Sequence, residues 1–228
     1  MGNATMSDVD AEFRAFVAKQ PTLILGSISR SRTNIMNELS AEFGLKYRVF
    51  VAPINEKLIR NPDPAALVTS LSLAKAAATR EELLRREPEA SGLLITGDQV
   101  VVCQGEILEK PIDADQAADF LRRYRSHPAQ TVGAIACTDL RSGRQAHRVA
   151  VASVHFSDMP EDTVRSLVEE AAVMWCSGAL MVEHPLVWPH VRLEGAIDNV
   201  QGLDKATLKR LLLEMAAEGL PRVDALRI

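Results

Sequence analysis

Aromatic residues are scarce in this chain, at 4%. So thin a supply disfavours a binder of single-stranded nucleic acid, which stacks bases on aromatic rings. A basic excess is missing too. The net charge is −4, which gives no reason to expect general nucleic-acid binding. Any anionic ligand must therefore meet a local cluster of cations. Cysteine is limited to Cys103, Cys137 and Cys176, an odd number without C-x-x-C spacing. They read as reduced thiols of a reducing compartment, not as a disulfide framework. No apolar run approaches the roughly 20 residues that span a bilayer. No signal-peptide core opens the sequence. Met1-Gly2 is followed by Met6 where myristoylation wants Ser or Thr, and Leu226-Arg227-Ile228 resembles no retention or peroxisomal signal. A cytoplasmic protein without nucleic-acid or membrane partners is the expectation.

What is present is ordinary globular material. With 47% hydrophobic and 25% charged residues over 228 positions, there is ample core for one large domain or two lobes. No repeat, linker or low-complexity segment divides it. The reading is an N-terminal helical extension over 1–20 and a single domain over 21–228, the weakest boundary lying near Pro111.

Apolar periodicity and punctuation give the elements. Ser7 caps a helix to about Lys19, with Val9, Phe13, Phe16 and Val17 on one face. Thr22 to Gly26 is a short buried strand. A helix with Ile35, Met36, Leu39 and Phe43 as its stripe stops at Gly44. Tyr47 to Val51 is a strand. Asp63 and Pro64 open a helix to about Arg86, with Leu67, Leu71, Ala74 and Ala78 buried. Asp113 to Gln116 is a capping box. Two long strands, Thr131 to Leu140 and Ala146 to Phe156, form a hairpin. Pro160 opens a further helix. Cys176 to Gly202 is irregular, and the last helix covers Asp204 to Ala217. Early alternation of strand and helix with a late hairpin predicts α/β with a mixed sheet.

The chain is organised around Leu94-Ile95-Thr96-Gly97-Asp98-Gln99-Val100-Val101-Val102. The apolar, β-branched flanks suit a buried strand pair. Between them stands Asp98. Either it caps its own turn, or it is a catalytic carboxylate on a rigid sheet. This stretch alone does not choose.

Other segments could carry chemistry. Gly26-Ser27-Ile28-Ser29-Arg30-Ser31-Arg32 lies between a strand and a helix. Hydroxyls and free amides at a helix start suit phosphate, and Arg32 could add a guanidinium fork. An ordinary N-cap with solvated arginines fits equally. It is not a P-loop, lacking the Gly-Lys-Ser/Thr ending. Lys75 borders an apolar helix stripe, where most lysines snorkel to water. Lys110, fixed at a strand end before Pro111, is placed to meet a ligand or to be a surface turn. Glu56 could join Asp98 in holding a divalent metal, since Mg²⁺ usually takes one or two carboxylates with substrate phosphates. Glu183 in the irregular segment could accept from a ligand's N–H groups. The five histidines show no metal-site spacing, and no Ser-His-Asp or Cys-His signature favours a nucleophile.

Taken in order, these stretches resemble the Maf family of nucleotide pyrophosphatases, from about Thr22 to Met215. Ser27-Ile28-Ser29-Arg30-Ser31-Arg32 stands for the family's S-x-S-P-R-R-like loop, with Arg30 for its proline and Ser31 for its first arginine. Glu56-Lys57 matches an acidic segment in part. Leu73-Ala74-Lys75-Ala76 fits the helix lysine, Gly97-Asp98 the G-A/S-D signature, and Gly105 to Pro111 the G-E-x-x-x-K-P motif. Asn199 to Leu203 fits N-V-x-G-L, with Asp204 replacing the usual proline. The resemblance implies a Maf/ITPase-like α/β fold: a mixed twisted sheet flanked by helices, in two lobes with a central nucleotide cleft. It implies hydrolysis of the α–β phosphoanhydride of nucleoside triphosphates, giving monophosphate and pyrophosphate. Asp98 would be the base, with Arg32, Lys75 and Lys110 meeting the triphosphate. Ser27 and Ser29 would hold phosphate, and Glu56 with Asp98 would hold Mg²⁺ or Mn²⁺. Asp98-Gln99 with Glu183 resembles the 7-methyl-GTP subgroup, so Ser31, Gln99 and Glu183 would tune base choice. A homodimer is a family habit. A dTTP/UTP enzyme and a nucleotide-binding regulator of cell division are the alternatives.

Overall fold

The structure is a computed structural model that describes residues 6–157 and 159–217. Met1-Gly2 and Leu226-Arg227-Ile228 lie outside them. The first helix, α1 (Met6–Ala18), buries the expected stripe of Val9, Phe13, Phe16 and Val17. Ser7 stands within its first turn and not before it. Phe13 meets the ring of Phe43 edge-on at 5.2 Å. Asp10 accepts from Lys209 of the last helix. The helical extension is thus packed on the body of the chain. Phe13→Ala is expected to cost about 3–5 kcal/mol, the usual loss for an emptied buried phenylalanine site. Urea unfolding measures it, and a loss under about 1 kcal/mol would show that α1 adds little.

Seven strands follow: β1 (Leu23–Leu25), β2 (Arg48–Val49), β3 (Leu93–Cys103), β4 (Glu106–Leu108), β5 (Ala129–Asp139), β6 (Gln145–Phe156) and β7 (Val191–Glu194). Their order is β2-β1-β3-β5-β6-β7, with β4 beside β3. β1 runs parallel to β2 and β3, and the remaining pairs are antiparallel. The sheet is mixed and open, as the alternation of elements led one to expect.

Three strand expectations change. The Asp98 stretch is one continuous strand and not a pair. β5 runs beside it, matching Gly97 to Ile135, Asp98 to Ala134 and Gln99 to Gly133. A long partner holds the glycine and the acid in extended backbone, so the turn reading of Asp98 falls. β2 shrinks to two residues, since only Arg48 and Val49 find register on β1. β7 was hidden in the segment read as irregular, because four residues give too short a pattern to see.

The helices are α2 (Arg30–Phe43), α3 (Pro64–Arg86), α4 (Ala114–Arg123), α5 (Glu161–Glu169), α6 (Ile197–Val200) and α7 (Lys205–Ala217). Side chains of Ser29, Asp63, Asp113 and Asp204 cap α2, α3, α4 and α7. Gly44 closes α2 in the left-handed conformation. Among these helices, none is long and apolar enough to cross a membrane.

Strand alternation decides how the layers meet. One face of β3, with Leu94, Val100 and Val102, lies under α3. There the buried stripe is Leu67, Val68, Leu71, Ser72, Ala76, Thr79 and Leu83, so Ala74 and Ala78 are flanking and not central. The other face of β3 carries two separate apolar clusters. Leu93 and Ile95 join α1, α2 and α7. Val101 and Cys103 join α4, α5 and the segment after them. Gly97 and Gln99 belong to neither, so the two clusters part along β3 at that point. The cysteines are free. Burial pushes the Cys137 thiol up to about 12.

Candidate active site

β1 ends early and the site begins there. It accompanies β3 only to Ile95, while β4 pairs from Val101. Between them this edge of β3 has β5 on one side and no strand on the other. The last contact of the short strand is the Gly26 N–H donating to Ile95 O at 2.7 Å. A Cβ at Gly26 would stand 2.6 Å from Thr96 Cγ2, so only glycine lets the chain leave the sheet so close to it. Peptide groups alternate along a strand, so those of Gly97 and Gln99 turn to the uncovered edge, as that of Ile95 does.

The chain then turns into α2. Ser29 Oγ caps it, accepting from the Arg32 N–H at 3.5 Å. Ser27 Oγ accepts from the Ser29 N–H at 3.2 Å and from Arg32 Nη1 at 3.4 Å. Arg32 does not swing free into water. Its Nε donates to Gly202 O at 2.9 Å, and its guanidinium lies over Gly97, 3.7 Å from where a Cβ would stand. Burial works against the Arg32 charge, while Asp98 and Glu56 support it. The loop is thus more than a solvated cap, and Ser31 sits half-buried in the helix's first turn.

Asp98 faces the other way. It is 8% exposed, on the α3 side of the sheet. Lys75 shares a helix face with Ser72 and Thr79, three and four residues away, both fully buried. Its Nζ reaches Asp98 Oδ1 at 2.5 Å and Glu56 Oε1 at 3.1 Å. The snorkelling reading of this lysine gives way to a buried ion pair. Glu56 arrives from a 3-10 turn, Glu56–Leu58, before α3. Two oxygen-donor carboxylates therefore converge on one ammonium. Such a pair suits a hard cation that also takes phosphate oxygens. No group of three or more His, Cys, Asp or Glu able to hold a metal occurs among the described residues.

Gln99, next to Asp98, points to the opposite face. Its Nε2 donates to Asn199 O at 2.8 Å. Gly202 lies between Gln99 Oε1 and Arg32, where a Cβ would meet them at 3.2 and 3.5 Å. Asn199 and Gly202 therefore do structural work at the site that no residue-by-residue reading gave them. They act through carbonyl oxygens, and a carbonyl has no sequence signature.

Lys110 and Glu183 form a second group. Both are exposed, and among the described residues no hydrogen bond or ion pair ties either to the Asp98 cluster. They share a neighbour: the half-buried Cys176 thiol is raised by burial, further raised by Glu183 and lowered by Lys110. Gly178 N–H donates to Glu109 O at 2.9 Å, fixing that segment beside the strand end that carries Lys110. Arg60 meets Glu109 at 2.6 Å, linking the loop after Glu56 to the same strand end.

Fold and site define an α/β protein whose polar cluster gathers at the carboxyl end of a parallel strand, where such sheets receive ligands. Residues 22–215 match the family described as Maf-like protein, and the chain belongs to that family. A Dictyostelium discoideum protein named 7-methyl-GTP pyrophosphatase is 30% identical over 196 residues, 85% of this chain and 97% of its own. A Synechococcus sp. (strain JA-3-3Ab) protein named nucleoside triphosphate pyrophosphatase is 31% identical over 195 residues, 86% and 94% of the two chains. An Acetivibrio thermocellus protein named dTTP/UTP pyrophosphatase is 25% identical over 201 residues, 88% and 98% of the two chains.

Proposed function

We propose that this chain is a nucleoside triphosphate pyrophosphatase that hydrolyses the bond between the α and β phosphorus atoms. The observation that supports it best is the Lys75–Asp98–Glu56 cluster, set beside an uncovered strand edge with Arg32 across it. Asp98 takes a proton from water as the water oxygen bonds to the α phosphorus. The bond to the bridging oxygen breaks, and pyrophosphate leaves with that oxygen. Lys75 orients the Asp98 carboxylate and meets developing charge. Arg32 and Lys110 neutralise the phosphates, and Ser27, Ser29 and the start of α2 hold their oxygens. Glu56 and Asp98 would hold Mg²⁺ or Mn²⁺ together with the substrate. When bound, the cation supplies positive charge to the phosphate oxygens.

For the base, 7-methyl-GTP is the reading that Gln99 and Glu183 support. A carboxylate accepts from guanine N1–H and the exocyclic amine, whereas an amide offers only one accepting oxygen. Ser31 would lie near enough to the phosphate loop to shape the base site. The role would be removal of modified nucleotides. Glu183→Gln is expected to shift preference from guanine towards pyrimidine triphosphates. An unchanged substrate ranking would remove Glu183 from base choice.

Incubation with canonical and methylated triphosphates plus Mg²⁺ or Mn²⁺, followed by product separation, tests the whole. Monophosphate with pyrophosphate is expected, fastest from 7-methyl-GTP. Diphosphate with inorganic phosphate would overturn the cleavage site. Preference for dTTP or UTP would keep the chemistry and change the base. Tight binding without turnover would leave a regulator.

A further inference from the structure

A cavity of about 510 Å³ lies between the N-terminal extension and the body of the chain. The family match begins at residue 22. Arg14, Val17 and Gln20 come from before that point, and Leu23, Phe43 and Tyr47 from after it, and all of them line the one cavity. The extension thus walls in a space against residues that would otherwise face water.

Two elements fix its place in the fold. The lining takes in the start of β1 and the end of α2. The loop that carries Ser27 and Ser29 joins the other ends of the same two elements. α2 has 14 residues, so its rise puts roughly 20 Å between the cavity and that loop. The cavity is therefore separate from the cluster around Asp98.

Its charge is one-sided. Arg14, Lys46 and Arg48 line it, and no aspartate or glutamate does, in a chain whose net charge is −4. Arg48 is already paired, with Nη1 and Nη2 donating to the two Glu87 carboxylate oxygens at 2.7 Å. Arg14 Nη1 donates to Glu42 O at 3.3 Å, and its guanidinium stands 4.6 Å from the Phe43 ring centre. That carbonyl is at the end of α2, where the helix dipole favours a cation. One carbonyl still leaves most of the guanidinium's N–H groups without a protein acceptor. Lys46 makes no hydrogen bond or ion pair among the described residues. Tyr47 Oη donates to Asn37 Oδ1 at 2.7 Å, which holds the ring in the wall.

Two cations without carboxylate partners at one cavity suit a doubly charged anion. A guanidinium fork matches phosphate oxygens, and an ammonium adds a point charge. A bare phosphate would take up only part of the space. The rest of the wall includes Val17, Leu23 and Phe43, and apolar walls with a few polar anchors are what small-molecule sites present.

We infer that this cavity is a second ligand site, built by the N-terminal extension, and that it takes a small phosphate monoester through Arg14 and Lys46. The inference is independent of the reaction proposed for Asp98.

Isothermal titration calorimetry of the full chain at low ionic strength, with ribose 5-phosphate and with inorganic phosphate, tests it. Ribose 5-phosphate is expected to bind, and more tightly than inorganic phosphate. The double variant Arg14→Gln/Lys46→Gln should weaken that binding by about ten-fold or more, the scale of lost charge-assisted hydrogen bonds. Lys46→Glu alters one exposed side chain, so it should keep the wild-type circular dichroism while repelling the phosphate. Affinity should fall as salt is added. Arg32→Gln should leave this binding in place, because Arg32 stands at the other end of α2. Binding that survives in the double variant and disappears in Arg32→Gln would assign the phosphate to the Asp98 site and overturn the inference. No heat at millimolar ligand would overturn it as well. Equal affinity for the two probes would overturn the monoester and leave a site for free phosphate.

Discussion

Asp98→Asn is expected to lower kcat by at least about 100-fold, the scale of a lost general base. An asparagine at this position would keep the volume and one accepting oxygen, so Lys75 would keep a partner. What would vanish is the capacity to take a proton from water. KM should change far less than kcat, because Arg32, Ser27 and Ser29, proposed to hold the phosphates, stand on the other side of β3. Circular dichroism and thermal unfolding should show a folded protein. Rapid-quench or steady-state product release then separates the outcomes. A variant within about ten-fold of wild type would sink the role assigned to Asp98. Lys75→Met makes a useful contrast. It strands a buried carboxylate without its ammonium, so it should lose stability as well as turnover.

Gly178→Ala is the second large effect, this time on stability. Gly178 has φ +61°, and a Cβ there would stand 2.4 Å from Tyr124 Oη and 2.9 Å from Val101 Cβ. Tyr124 is fully buried, and its hydroxyl donates to Gly178 O at 2.7 Å. Left-handed strain and overpacking together should cost about 3 kcal/mol. For a chain of this size that lowers Tm by roughly 10 °C. Tyr124→Phe removes the atom that clashes first. The double variant should therefore lose less than the sum of the single losses, and strict additivity would show that the contact is not what forbids a side chain at 178.

The sequence made some of this architecture legible and concealed the rest. Caps were readable, because Asp63, Asp113 and Gly44 act on residues within a turn of themselves. Lys75 was not decided by its own helix: an Ala/Leu stripe says where a lysine emerges, not what waits there. Its partner stands 23 residues away on a strand. Asp98 and Gln99 were read from one apolar stretch, the first as turn cap or catalyst and the second as a residue that tunes base choice. Strand alternation places them on opposite faces, which is obvious once the stretch is known to be a strand and invisible while it is read as a turn. Arg32 was readable as a cation at a helix start. Its anchor, the carbonyl of Gly202, lies 170 residues further on. Asp204, a departure from the family's usual proline, keeps a local purpose: its carboxylate accepts from the Thr207 N–H and starts α7.

The contact between α1 and α7 has a bearing on the order of synthesis. Asp10 and Lys209 are 199 residues apart. At about 5–20 residues per second, the ribosome delivers α1 many seconds before α7. Through that interval Phe13 and Phe16 have only part of their final cover. The Gly202 carbonyl that steadies Arg32 also arrives late. A nascent chain with Asp98 and Lys75 already in place thus holds Arg32 without its anchor, and α1 waits for α7 before it is fully packed.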